Sequence, residues 1–336
     1  MTIHTPLRVP FGAPRRAVLL GALAAPFLGG RASAQTVTLR SADVHPDGYP
    51  TVEAVKFMSK QVEERSGGRL RIQVFGSRQL GEEKDTLEQT RFGVIDLNRV
   101  NSASLNSLIP ETVIPGLPFL FRDEAHMHRV LDGAIGDDIL SGAARHNLIP
   151  LGYYDSGARS FYTRAKAIHE PGDLRGQKIR VQASDMWVAM MRAFGANPTP
   201  LPTGEVYSAL QTGVVDGAEN NYPSYQSFRH FEVAKFYSVS EHSMAPEVLV
   251  MAKRSYDRLP KELQDILRQA AKDSVPEMRR MWQARSEEAK AAVIAAGAQI
   301  NTMDKGPFER AMGPVYDRFV SDARMKGIVS RIRESA

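Results

Sequence analysis

The sequence predicts an α/β protein built as two lobes. The 336-residue chain exceeds one ordinary domain. Its hydrophobic share of 43% is enough for packed cores, and short apolar runs of strand-like period two alternate with helical patterns along the chain.

In order, the first 34 residues read as a secretory leader. Arg15-Arg16 precede an apolar run from Ala17 to Leu28, and Ala32-Ser33-Ala34 supplies a small-residue cleavage site. The paired arginines also fit twin-arginine export, and the route stays open. The leader contains four arginines and no acidic residue, so cleavage after about Ala34 lowers the formal charge from +5 to +1. A nearly neutral mature chain gives no electrostatic reason to expect nucleic acid as a partner. The chain has no cysteine, which excludes disulfides, thiolate metal sites and a cysteine nucleophile. No run after the leader reaches the ~20 apolar residues of a membrane span, so the expected location is the periplasm.

Val37–Arg40 is read as a strand, broken at 45–50. A helix follows with Val52, Val55, Met58 and Val62 on one face, stopped by Gly67-Gly68. Leu70, Ile72 and Val74 alternate with polar residues, closing a β-α-β unit whose strands should be parallel. A second helix starts at Gly81-Glu82 and stops near Gly93, and Val94–Leu97 is read as a short strand leading into a polar loop at 98–104. Loops after parallel strands are where ligands sit in doubly wound sheets, so 43–49 and 98–104 are candidate cleft walls. Ordinary turns would carry the same residues.

Pro110–Phe121 reads as a buried loop or irregular strand, 125–147 as helix, and Leu148–Tyr154 as strand. Asp155–Ala158 is the expected crossing between lobes, followed at once by Arg159. Val248–Met251 looks like a return strand, and a long helix runs from Lys261 to about Ala296.

The stretch 174–221 organises the rest. In Lys178–Gln182 the period-two pattern buries Ile179 and Val181 and turns Arg180 and Gln182 the other way. Arg180 needs an anion and has no acidic neighbour two positions away on its own strand. The anion is either a carboxylate from elsewhere in the fold or a bound ligand. Phosphate-loop, dinucleotide, zinc-protease and serine-hydrolase motifs are absent. His126 and His128 fall on different faces of a helical pattern and do not make a metal pair. No catalytic residue, metal or cofactor is expected.

Asp173–Val181, then Gly195-Ala196-Asn197-Pro198, then Glu205–Asn220 together resemble the solute-binding proteins of tripartite ATP-independent periplasmic (TRAP) transporters, the DctP family. Gln79-Leu80-Gly81 and Leu117-Pro118-Phe119 extend the likeness over the chain. The resemblance implies a two-lobed periplasmic-binding-protein fold of the Venus-flytrap type, with hinge strands and a long C-terminal helix. Lobe I is placed at 35–156 plus about 246–285, and lobe II at 157–245 plus about 286–336. It implies a monomer that closes on a small organic acid and delivers it to membrane permease subunits driven by an ion gradient. By the same likeness, Arg180 clamps the ligand carboxylate, Asn220 contacts it, and Arg159 is a second cleft arginine. Asn101 falls where the family varies with ligand, His45 lies on the first loop, and Glu82 is placed to accept hydroxyls, or else only to complement a helix start. Tyr49, Tyr154 and Tyr222 are read either as cleft walls or as core.

Segments 45–50 and 105–112 are similar to members that bind hexuronates such as D-glucuronate and D-galacturonate, and His45, Glu82, Asn101 and Gln182 would suit a hydroxyl-rich ligand. A C4-dicarboxylate is the alternative, with Arg159 and Arg180 as two clamps. From a different class, an exported enzyme acting on a sugar acid, with Glu82 or His45 as base, competes with the carrier. A ligand-binding sensor domain is a third reading.

Overall fold

The computed structural model describes residues 36–335; the leader expected at 1–34 lies outside the described residues. Eleven strands among these residues form two sheets. In chain order they are β1 (Val37–Ala42), β2 (Leu70–Phe75), β3 (Leu97–Asn101), β4 (Leu148–Tyr154), β5 (Arg159–Thr163), β6 (Lys178–Val181), β7 (Asn197–Pro200), β8 (Gly217–Asn220), β9 (Phe236–Ser243), β10 (Glu247–Ala252) and β11 (Gln299–Thr302). The first sheet has the order β2-β1-β3-β10-β4 and the second β11-β9-β5-β8-β6-β7.

The first β-α-β unit forms as its pattern requires. β1 and β2 pair in parallel from Val37↔Leu70 to Ala42↔Phe75, and helix Pro50–Arg65 buries Val52, Val55, Met58 and Val62 against them. The chain passes between the sheets by two short crossings, at 155–158 and at 244–246, and a third time through the long helical segment between β10 and β11; β10 returns antiparallel to both β3 and β4. At the first crossing Gly157 has φ +56°, and a Cβ there would press on the Trp282 ring, so backbone geometry and packing both require glycine.

Helix Lys261–Ala295 spans 35 residues, about 52 Å at 1.5 Å per residue. It packs on helix Pro50–Arg65 and β4 of the first sheet and on helix Tyr222–Ser227 beside the second, tying both together. One continuous apolar cluster also joins the sheets. It contains Val100 and Leu148, Phe161, Ile179 and Trp187, and Phe308, Met325 and Ile332 from the C-terminal helices.

Three local expectations are corrected. The third strand begins at Leu97, not Val94, and includes residues expected in the loop. The Asp96 carboxylate accepts from Arg40 N at 2.8 Å and from Ser255 Oγ at 2.5 Å, fixing the chain just before the strand, while Val94 is 56% exposed. The segment 125–147 is three short helices, Glu124–Leu131, Ala134–Leu140 and Ala143–His146, interrupted where Gly133 and Gly142 break the pattern. Pro110–Gly116 is a 3-10 helix rather than extended chain, although it is buried as expected.

Beside the second sheet, Tyr162, Tyr225 and Tyr237 pack together, and Tyr162 OH lies 2.8 Å from His230 Nδ1. Burial, with the nearby Arg180 and Arg78 charges, lowers the His230 pKa to about 3. The unfolded chain takes up this proton near pH 6.5 and the folded one does not, so His230 costs no stability above pH 6.5 and a growing amount below it. In urea denaturation between pH 6 and 4, the wild type should lose stability more steeply than His230→Gln, by up to about 1.4 kcal/mol per pH unit. Equal slopes would contradict this assignment. In the long helix, Met278→Ala at a fully buried position should cost about 2–5 kcal/mol. Ile294→Ala, on an exposed turn of the same helix, should change stability by less than about 0.5 kcal/mol.

Candidate functional site

Three buried arginines meet where the two sheets adjoin, and their partners differ. Arg159, at the start of β5, makes a bidentate pair with Glu219 of β8. Nε donates to Oε2 at 2.6 Å and Nη2 to Oε1 at 2.9 Å, and Nη2 also reaches the Glu219 carbonyl. Its guanidinium lies over the Trp187 ring at 5.1 Å. Burial works against both charges, but each more than offsets the other's penalty: Arg159 is raised and Glu219 lowered. His242 Nε2 stands 3.6 Å from the same carboxylate.

Arg99, on β3, is enclosed by carboxylates. Nη1 donates to Glu83 Oε2 at 2.9 Å and to Glu247 Oε2 at 2.8 Å, and Nη2 donates to Asp43. Burial would raise Asp43, yet the Arg99 charge and the His45 contact hold it below the usual carboxylate range. Glu83 is raised, because burial outweighs its attraction to Arg99. Glu83 Oε1 also accepts from Asn101 N at 3.1 Å and from Ser104 Oγ at 2.6 Å.

Arg180, on β6, is different. It is 4% exposed, and its Nε and Nη2 both donate to the Leu201 carbonyl, at 2.9 and 2.6 Å. Among the described residues no carboxylate forms an ion pair with it. Burial, only partly offset by Tyr162 and Glu219, pulls its pKa below the ordinary guanidinium value. A buried cation in this state gains from any anion that can reach its fork.

The other sequence-derived candidates take varied roles. Asn220 ends β8, and its Oδ1 accepts from Asn221 N at 2.9 Å. Asn101 caps helix Ser102–Leu105 through Oδ1, while its Nδ2 donates to Glu247 Oε1 at 3.1 Å, so its amide is spent on the fold. His45 stacks on Tyr49 at 3.8 Å, and its Nδ1 lies 3.0 Å from Asp43 Oδ1 and 2.8 Å from Arg99 Nη2. Burial and the Arg99 charge lower its pKa, so it is neutral at pH 7. Glu82 Oε1 accepts from Gly204 N at 3.2 Å, across from the other sheet, and pairs with Arg78 at 3.6 Å. Glu82 Oε2 and Gln182 Nε2 are buried and have no hydrogen-bond partner among the described residues. Tyr49 OH also reaches across, to Ser224 Oγ at 2.9 Å, while Tyr154 is core, bonded to Ser274. Tyr222 stacks on Tyr237 at 4.2 Å.

Sequence reasoning missed Asp43, Glu83, Arg99, Glu247 and Glu219. Asp43 and Arg99 lie in the segments singled out as cleft walls, and Glu219 adjoins Asn220, but the pairings join residues 16 to 148 positions apart. The arrangement can bind an anion at Arg180 and hydrogen-bond a polar ligand around it. Among the described residues no group of three or more His, Asp or Glu is placed to hold a metal ion, and no helix is long and apolar enough to cross a membrane.

Solved structures of similar geometry are periplasmic solute-binding proteins. One from Bradyrhizobium sp., in complex with D-galacturonate, is 56% identical, with a TM-score of 0.87 over 89% of this chain and 100% of that one. One from Xanthobacter autotrophicus, with bound β-D-galacturonate, is 51% identical at the same TM-score and coverage. One from Roseobacter denitrificans, with bound β-D-glucuronate, is 39% identical, again at 0.87 over 89% and 100%. All three are TRAP solute-binding proteins, and the likeness extends to the two-lobed fold. The model of the bacterial extracellular solute-binding proteins, family 7, matches residues 41–322. The chain belongs to that family, the DctP-type solute-binding proteins of TRAP transporters.

Proposed function

We propose that this protein captures a hexuronate such as D-galacturonate or D-glucuronate in the periplasm and delivers it to an ion-gradient-driven permease. The observation that carries the reading is the buried, carboxylate-free Arg180. The ligand's carboxylate is its missing counter-ion, and Asn220 at the end of β8 supplies a neighbouring amide. The galacturonate and glucuronate held by the similar structures support the ligand class.

Charge argues against the dicarboxylate alternative. Two clamps would be needed, but Arg159 is neutralised by Glu219 and Arg99 by three carboxylates. A second carboxylate would enter beside Glu83 and Asp43, where Arg99 and Arg159 are already paired, whereas hydroxyls can donate to those acceptors. The lobes drawn from the sequence, 35–156 with about 246–285 and 157–245 with about 286–336, would close about the two crossings. The closed cleft excludes water from the Arg180 pair, and the complex works as a monomer.

Arg180→Ala should weaken uronate binding at least about a hundredfold, because charge-assisted hydrogen bonds contribute roughly 1.5–3 kcal/mol each and the ligand anion would be left unpaired. Titration calorimetry checks this, with circular dichroism to verify the fold; near-normal binding by the folded variant would refute the clamp. In a thermal-shift panel at about a thousandfold excess over Kd, bound ligand adds about 4 kcal/mol of stability and raises the melting temperature by several degrees. Galacturonate or glucuronate should produce the shift and succinate should not. A response to dicarboxylates alone would overturn the uronate reading.

A further inference from the structure

Segment 78–83, beside the first sheet, touches segment 201–205, beside the second, through one side chain. Glu82 Oε1 accepts from Gly204 N at 3.2 Å, and Arg78 Nε stands 3.6 Å from the same oxygen. The loop holding Gly204 is itself fixed to the anion site, since the Leu201 carbonyl takes both the Nε and Nη2 donors of Arg180.

The backbone at Gly204 does not call for glycine. Its φ lies outside the left-handed region, it sits in a short 3-10 turn, and it is exposed, so any residue would suit the local conformation. What a side chain would meet is the Glu82 carboxylate: a Cβ at 204 would lie closer than 3.0 Å to Glu82 Oε1 and 3.2 Å from Arg78 Nε, so the carboxylate, the free end of its side chain, would have to move and give up its bond to Gly204 N. Glycine matters here only for the contact between the two segments, which makes the position informative about closure. The second carboxylate oxygen, Glu82 Oε2, is buried and has no donor among the described residues. Such an oxygen is costly unless a ligand or water supplies a hydrogen bond.

We propose that Glu82 and Gly204 form the latch of the closed cleft. One Glu82 oxygen takes the Gly204 N–H and holds the loop that Arg180 anchors, and the other accepts a hydroxyl of the bound sugar acid. Gly204 is a positioning residue: it touches no ligand and permits the close approach. Closure and recognition of a hydroxyl-bearing ligand are then one event, so an acid without a suitably placed hydroxyl leaves the latch without its second bond. This rests on the uronate reading above.

A double-mutant cycle tests it, with D-galacturonate titrated against wild type, Gly204→Ala, Glu82→Ala and the double variant. Gly204→Ala should bind at least tenfold more weakly, chiefly through faster release, while its melting temperature without ligand stays unchanged. Glu82→Ala should lose at least as much, and adding Gly204→Ala to it should cost nothing further, because the clash partner is gone. Affinity of Gly204→Ala within twofold of wild type, or additive losses in the double variant, would overturn the latch. If wild type itself binds neither galacturonate nor glucuronate, the uronate reading fails instead, so the two failures are distinguishable.

Discussion

The structure depends on a cation placed where water is scarce. Taking a guanidinium out of water costs several kcal/mol unless a counter-charge and hydrogen bonds replace the solvent. Arg159 and Arg99 satisfy that requirement within the protein, one with a single bidentate carboxylate and the other with three. Arg180 satisfies it only in part, through the neutral Leu201 carbonyl. That carbonyl orients the fork without cancelling its charge, so the geometry is prepared while the electrostatic requirement is left open. Burial strengthens the pull of Arg180 on any anion that reaches it, and among the described residues no carboxylate pairs with it.

The two sheets meet that demand through their connections. The ligand candidates lie near strand ends or in adjoining segments: Asp43 and His45 follow β1, Arg99 and Asn101 close β3, Arg180 is on β6, Asn220 ends β8 and Glu247 begins β10. Arg159 and Glu247 flank the two crossings, so the residues that build the site are also those beside the points where the chain changes sheet. The long helix braces both sheets from outside, through Trp282 against Gly157 and through the packing of Met278.

Much of this was legible in the sequence. Period-two alternation found β2 and β6, short apolar runs marked β1, β4 and β10, and helical spacing found the buried face of Pro50–Arg65 and the full run of the long helix. The same alternation put Arg180 on a strand, whereas Asn220 and Arg159 were singled out by the family likeness, and they lie on β8 and β5. What the sequence did not disclose were pairings over long separations. Arg159 reads as a second cleft arginine, and in the dicarboxylate alternative as a second clamp, because nothing local shows that Glu219, sixty positions away, already neutralises it. Asn101 looked like a ligand-facing amide, although its side chain caps the next helix and binds Glu247. Glu82 was weighed as a hydroxyl acceptor or a helix-start charge, and the contact with Gly204 is neither. In each case the local pattern fixed the position of the side chain and the tertiary partner fixed its role.

Release follows from the same electrostatics as capture. Two unit charges 4 Å apart attract with about 4 kcal/mol in surroundings of effective dielectric near 20 and with about 1 kcal/mol in bulk water. Opening the cleft would therefore forfeit most of the Arg180–carboxylate attraction with no bond broken and no residue titrated. His45, His230 and His242 are all held below their ordinary pKa by burial, so none gains a proton near neutral pH that would trigger opening. Control of affinity would then reside in whatever holds the cleft shut, and the proposed latch, one carboxylate against one backbone N–H, is weak enough to be undone by a competing surface. A carrier needs that balance: the charge decides what is bound, and the reversible closing contact decides for how long.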